Sequence, residues 1–430
     1  MINFVFSLFR AFVIKSKTED LLMNIQLPQL LWHGNTTLNI ELPDDWHVDL
    51  CPMRGATRIP LTLEQMETAI QNPIGSPPLK ALARGKKRAV IIFDDITRPT
   101  RTHELAPILI QELIAGGMDE KEITFVCALG AHGAHRQNEF RKKLGSKIIE
   151  SFRVFNHNPY ENCVEVGTTK RGTPLFINRE VMEADLKVGI GCVTAHPQTG
   201  FSGGGKIILP GVAHMDSIAH YHIHVANQAP KTLGLGRFED NVLRLDIEEA
   251  ACMAGLDFKV DVIVNGRGAT TAVFAGDCIA AHSQAVKLAK VVYATDPRPR
   301  DMDVVVANAF VKANEMTIAV RIGATVLKEA SGTLIIIADA PEGQVPHYLL
   351  GRFGRNYGGR QYPVTAIPTD LSLIIIAPHM DKTFADWFTN PETIMWMKNW
   401  ERALDYLRHS YGPGTKVAVI PNATMQYFDS

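Results

Sequence analysis

The 430-residue chain has almost no net charge, no paired cysteines and no apolar run long enough to cross a bilayer, and each absence removes a class of function. Its 44 Lys and Arg residues stand against 45 Asp and Glu, a formal net charge of −1. The basic footprint that phosphate backbones demand is missing, so no nucleic-acid partner is expected. The six cysteines, at positions 51, 127, 163, 192, 252 and 278, are scattered singly with no CxxC. That argues against a disulfide framework or a thiolate zinc site and fits a reducing, cytoplasmic compartment. The N-terminal MINFVFSLFRAFVIK is apolar, but Arg10 and Lys15 interrupt it and no small-residue cleavage site follows. It is too short for a membrane span, so no membrane partner is expected. Residues 1–22 are read as a non-core extension, with Met23 the functional beginning. Neither an internal repeat nor a low-complexity tract is present.

What is there is 46% apolar residues, enough to bury the cores of two or three domains. From about residue 86, short β-branched runs alternate with amphipathic helical runs, the pattern of βαβ units. Strands are expected at 89–93, 123–129, 152–155, 186–190, 259–264 and 271–275, with helices at 104–115 and 277–289. After a proline- and charge-rich stretch, YATDPRPRDMD, a second unit follows. Its expected strands lie at 304–307, 333–338, 371–377 and 416–420, and its helices at 316–329 and 393–409. The fold class is therefore α/β: an N-terminal domain over 23–290, a hinge over 291–302, a C-terminal domain over 303–430, and a cleft between the two. Polar and histidine residues sit just after the strands, at 94–98, 132 and 196, where ligands bind in open α/β sheets.

Eight of the fifteen histidines fall between His132 and His224. Within that stretch, Gly203, Gly204 and Gly205 precede Lys206, and His196 and His222 bracket it. Gly200 to Lys206 matches GxxxxGK, but Ile207 stands where a phosphate-binding loop needs Ser or Thr for magnesium, which argues against a nucleotide triphosphatase. A glycine turn whose amides cradle an anion beside Lys206 and a turn that merely permits close packing remain equally open. His220, His222 and His224 would share one face of a strand. Asp216 reads as an N-cap, which favours a helix with only 220 and 224 on one face and weakens a three-histidine zinc site. FDDITRPTR sets Asp94, Asp95, Thr97 and Arg98 at a strand end, suited either to hold ribose and phosphate or to form a capped turn.

DDITRP (94–99), ALGAH (128–132), and His196, Lys206 and His222 in order resemble the nickel-dependent lactate racemase family from about residue 25 onward. The resemblance implies two α/β domains closing over a cleft and a nickel-pincer nucleotide, a pyridinium mononucleotide with sulfur-bearing arms that grip Ni(II). It makes Lys206 the covalent attachment point through a thioamide and His222 the protein ligand of nickel. His132 and His196 become the acid/base pair for hydride abstraction at C2 of a 2-hydroxy acid and its return to the opposite face. Asp95, Ile96, Thr97 and Arg98 would hold ribose and phosphate, assisted by the glycines at 203–205. Cofactor-synthesis enzymes are the implied partners.

Two departures bear on substrate. Ile318 and Arg321 stand where the family places a Gln and a Lys that reach into the site, so the charge is kept and the amide lost. His135 and Arg136 replace the commoner residues after the first histidine and are expected to line the pocket. The expected substrate is a 2-hydroxy acid other than lactate, larger or with an additional polar group. Whether Arg98 and Arg321 meet cofactor phosphate or substrate carboxylate is left open by the residues alone. The alternatives are a noncatalytic binding paralogue of the same fold and a zinc-dependent hydrolase built on the histidines at 220–224.

Overall fold

Strands buried on both faces need cover on each side, and the β-branched runs of this chain build two such sheets. The computed structural model describes residues 22–328, 331–349 and 366–428; the expected extension lies outside them apart from Leu22. The first sheet has six strands in the order Thr270–Gly276, Phe258–Val264, Leu186–Cys192, Ala89–Asp94, Ile123–Ala128 and Arg153–Asn156. All neighbours are parallel except the Thr270–Gly276 edge. The second also has six, in the order Met395–Met397, Leu371–Ile376, Gly332–Ile337, Val304–Asn308, Lys416–Ile420 and His47–Leu50, all parallel. Hydrophobic clusters cover both faces of each sheet, and Phe310, Val311, Met425 and Tyr427 carry the core of the first sheet across to the second half.

Each sheet has one place where the strand order reverses. In the first it lies between Ala89–Asp94 and Leu186–Cys192; in the second, between Val304–Asn308 and Lys416–Ile420. Loops leaving the carboxyl ends on either side of such a point diverge and leave a crevice. The motif-bearing segments 95–101 and 193–206 leave the first crevice, and 309–316 leaves the second.

Several expectations are corrected. His47–Leu50 joins the C-terminal sheet, and the hairpin of Leu22–Pro28 with Thr37–Pro43 packs Leu27, Ile40 and Leu42 against Trp400 and Leu404, so residues 22–50 pack with the second half rather than opening the first domain. Alternating burial in that hairpin gave no clue to which sheet it would cover. Within the segment read as a hinge, Ala294–Thr295 pairs with Tyr427–Phe428. The helix expected over 393–409 begins only at Trp400, where the Asn399 side chain caps it, and Met395–Met397 ahead of it forms an edge strand. No helix among the described residues is long and apolar enough to cross a membrane.

Candidate active site

Between the two crevices lies a cleft with an empty volume of about 1300 Å³, including its open mouth. Its floor begins with the turn after Ala89–Asp94. Asp95 Oδ1 accepts from the Thr97 amide (3.0 Å) and the Thr97 hydroxyl, which aims Oδ2 at His132; Nδ1 of that ring donates to it at 2.5 Å. The His132 tautomer is thereby fixed with hydrogen on Nδ1 and a lone pair on Nε2. Burial pushes the Asp95 carboxyl up, but His132 and Arg98 outweigh it and hold the group well below the usual carboxylate range. Arg98 reaches across to Glu315 at 3.0 Å, and Glu315 Oε1 stands 3.9 Å from His132 Nε2.

The glycine segment is shaped by close approach. Gly203 and Gly204 have φ of +84° and +58°, and a Cβ on them would lie 2.8 Å from Asp261 Oδ1 and 2.7 Å from His282 Cγ. Gly204 N–H donates to Asp261 Oδ2, and Arg244 donates to the carbonyls of Phe201 and Gly203. Asp261 is held in turn by Lys259 at 2.6 Å and His282 at 3.0 Å. The amide of Gly204 is therefore committed to protein, and the turn places Lys206. Lys206 Nζ lies 2.9 Å from His196 Nε2.

His222 sits in a π-helical turn, Tyr221–Val225, that continues the helix Met215–His220. The wider turn frees it from the ordinary helical register, as such turns do at functional sites. Its Nδ1–H donates to the Ile218 carbonyl at 2.8 Å, leaving the Nε2 lone pair free. That wiring is typical of a metal-binding histidine. Burial lowers its pKa to about 4, so the ring is neutral at ordinary pH. His220 and His224 lie against each other with ring centroids 4.9 Å apart and planes tilted by 35°, away from the cleft that His222 lines. The three do not converge, and among the described residues no group of three His, Cys, Asp or Glu could hold a metal ion. The helix cap expected at Asp216 is provided instead by the His214 side chain, which accepts from the Asp216 amide.

Of the residues singled out in the sequence, Asp95, Arg98, His132, His196, Gly203, Gly204, Lys206, His222, Ile318 and Arg321 line the cleft. Ile96, Thr97 and Gly205 lie behind it. The Ile96 amide donates to His135 Nε2 and its carbonyl accepts from Trp32; Gly205 packs on Ile247 and Ala251. His135 thus braces the Asp95 turn rather than lining the pocket, and Arg136 is exposed at the start of a helix. Glu315, His347 and Trp387, from the C-terminal half, also line the cleft and carried no motif in the sequence. The segment bearing His347 is stitched to the first half by bonds from Gly133 N–H to the Pro346 carbonyl and from Tyr348 N–H to the Ala131 carbonyl, setting its ring 5.3 Å from that of His132.

Residues 33–234 match the lactate racemase N-terminal domain. A lactate racemase from Thermoanaerobacterium thermosaccharolyticum is 31% identical over 285 residues, spanning 65% of this chain and 65% of that protein's own length. Another, from Lactiplantibacillus plantarum, is 29% identical over 317 residues, 72% of this chain and 74% of that protein. The lactate racemase apoprotein structure from T. thermosaccharolyticum superposes with a TM-score of 0.73 at 23% identity, covering 95% of this chain and all of that one, which shows a shared fold. A Thermotoga maritima protein superposes with a TM-score of 0.63 at 19% identity over 86% of this chain and 98% of that one. In sequence over much of its length, and in fold over nearly all of it, the chain is thus similar to lactate racemases.

Proposed function

We propose that the chain is a racemase or epimerase of 2-hydroxy acids that uses a lysine-tethered nickel-pincer nucleotide, and that its natural substrate is not lactate but a larger acid or one with an additional polar group. One observation carries the reading: an amine, a histidine with a free ring nitrogen and two further histidines with complementary wiring face one cleft. The residues fit such a group. Among the described residues Lys206 forms no ion pair with a carboxylate, and His222 is neutral with Nε2 making no hydrogen bond there. Lys206 would hold the nucleotide covalently, His222 would hold the nickel, and Asp95, Arg98 and the glycine turn would bound the ribose and phosphate. When bound, this group supplies a metal and an electron-poor ring able to take up hydride from a substrate carbon.

The proton is the work of the chain. His132, with Nδ1 engaged by Asp95, takes a hydroxyl proton at Nε2; the buried carboxylate steadies the resulting imidazolium. His196, which lines the same cleft, would be the second proton-handling group that inversion at a carbon requires. Arg321, at the exposed rim, suits a substrate carboxylate. Ile318 gives the substrate side chain an apolar wall where the family places an amide, and Glu315, with its Oε1 toward His132, suits a hydroxyl donor on the substrate.

The test is intact-protein mass spectrometry with elemental analysis, on chain co-expressed with enzymes that synthesise the pincer cofactor, comparing wild type with Lys206→Ala. A lysine-dependent adduct with about one nickel per chain is expected. No adduct and no nickel would leave a noncatalytic paralogue; zinc instead would revive the hydrolase.

A further inference from the structure

His196 is wired more tightly than an acid/base role requires. Its Nδ1 accepts from two backbone N–H groups, those of Gln198 (3.3 Å) and Thr199 (3.2 Å). A ring nitrogen facing two donors must offer its lone pair, so the neutral ring carries its hydrogen on Nε2. That Nε2 is 2.9 Å from Lys206 Nζ. A contact of this length needs one acceptor, and the ring has none left at Nε2. Nζ must therefore accept, which an ammonium cannot do.

The surroundings agree. The contact with His196 is the one hydrogen bond that Lys206 Nζ makes among the described residues. Burial, followed by the positive charges of Arg98, Arg244 and Lys312, holds the amine well below the usual lysine range. Lys312 Nζ is itself fully buried with no hydrogen-bond partner among the described residues, and the opposing charge of Glu315 offsets these cations only in part.

We infer that His196 is a positioning residue for Lys206, holding it in the free chain as a neutral nucleophilic amine that bonds to a carbonyl or carboxyl-derived carbon without an external base. The inference deepens the preceding reading, and the hydrogen-bond geometry beneath it is independent of which electrophile arrives. In the step, the Nζ lone pair forms the C–N bond, the leaving group departs with its electron pair, and the proton lost from Nζ leaves with it. Once Nζ belongs to an amide or thioamide, its lone pair is delocalised and no longer accepts from His196. The Nε2–H is then released toward the substrate, so one histidine serves loading first and turnover afterwards.

The experiment uses the full chain purified without cofactor and pyridoxal 5′-phosphate as the probe, an aldehyde that condenses with a neutral amine to an imine and water. Borohydride traps the imine and peptide mass spectrometry locates it. Each unit by which an amine is lowered raises its neutral fraction about tenfold near neutral pH. Lys206 should therefore label at least about tenfold faster than the exposed Lys80 and Lys121. In His196→Asn, the amide oxygen can replace Nδ1 but nothing reaches Nζ; in His196→Gln, the amide nitrogen can replace Nε2. Labelling at Lys206 should fall about tenfold in the first and largely persist in the second. Wild-type labelling no faster than that of Lys121, equal loss in both variants, or loss in neither would each overturn the inference. The wild-type comparison stands even if a variant fails to fold. Fast labelling without a nickel adduct on co-expression would instead count against the cofactor reading alone.

Discussion

Arg98 and Glu315 pair at 3.0 Å across the molecule, the first in the turn after Ala89–Asp94 and the second in the turn after Val304–Asn308. The pair joins the two crevices where strand order reverses. With side chains only 17% and 15% exposed, neither charge is well hydrated. The Glu315 carboxyl is pushed up by burial, yet Arg98, His132 and Lys312 bring it down to about 2.

Removing one partner leaves a buried charge uncompensated. Glu315→Gln should lower stability toward urea by about 2–4 kcal/mol. The check is the unfolding midpoint at neutral pH with the slope held constant; a change below about 0.5 kcal/mol would show that the pair is replaced by solvent.

Asp95 fixes the tautomer of His132. In Asp95→Asn, the amide can donate to Nδ1 and move the ring hydrogen to Nε2, the position that must accept a proton. Turnover of the loaded enzyme should fall by about three to four orders of magnitude while the lysine-dependent mass adduct remains. Steady-state rates with adduct mass measured on the same sample decide it.

Gly204 has φ of +58°, and a Cβ there would meet His282 Cγ at 2.7 Å, part of a buried ring rather than a flexible tip. Gly204→Ala should cost about 2–4 kcal/mol through strain and overpacking and should shift the segment that carries Lys206. A lowered thermal midpoint together with reduced Lys206 labelling is the expected pair of results.

His157 is neutral in the fold. Asn178 Nδ2 donates to its Nδ1 at 3.3 Å and its own Nε2–H donates to the Ala213 carbonyl at 2.9 Å, while burial lowers its pKa from 6.5 to about 4. Between those values the unfolded chain binds a proton that the folded chain refuses. Its contribution is fully present above the unfolded value and is lost as pH falls toward about 4, by roughly 1.4 kcal/mol per unit at most. Urea midpoints measured across this range should decline more gently in His157→Gln than in wild type.

Ile318 presents an apolar side chain to the cleft, where the resemblance implies an amide. A panel of 2-hydroxy acids should show lactate outpaced by larger or more polar acids, and Ile318→Gln should raise lactate turnover relative to them. A wild-type enzyme that acts on lactate alone would sink the substrate proposal.

Much of the site was legible because its residues are placed locally. The strand Ala89–Asp94 is apolar and β-branched until it ends in polar residues, so its turn had to emerge at a sheet end. Glycines ahead of Lys206 announced a close approach, which Asp261 and His282 supply. The helical reading of 215–224 set His220 and His224 on one face, as the structure has them.

By itself the sequence determined the α/β class, most strands of the two sheets, and much of the local chemistry of their turns, because periodicity and backbone preference act over a few residues. Only tertiary structure decided which turns meet. Pairing of His47–Leu50 with Lys416–Ile420 closes a loop over most of the chain, and no local pattern encodes such a register. The same holds for Glu315 and His347, which bear no motif and enter the cleft because two strand-order reversals face each other. It holds too for the tautomers of His132, His196 and His222, each fixed by the group opposite the ring. A histidine's residue type gives it two nitrogens; the fold decides which one keeps the hydrogen.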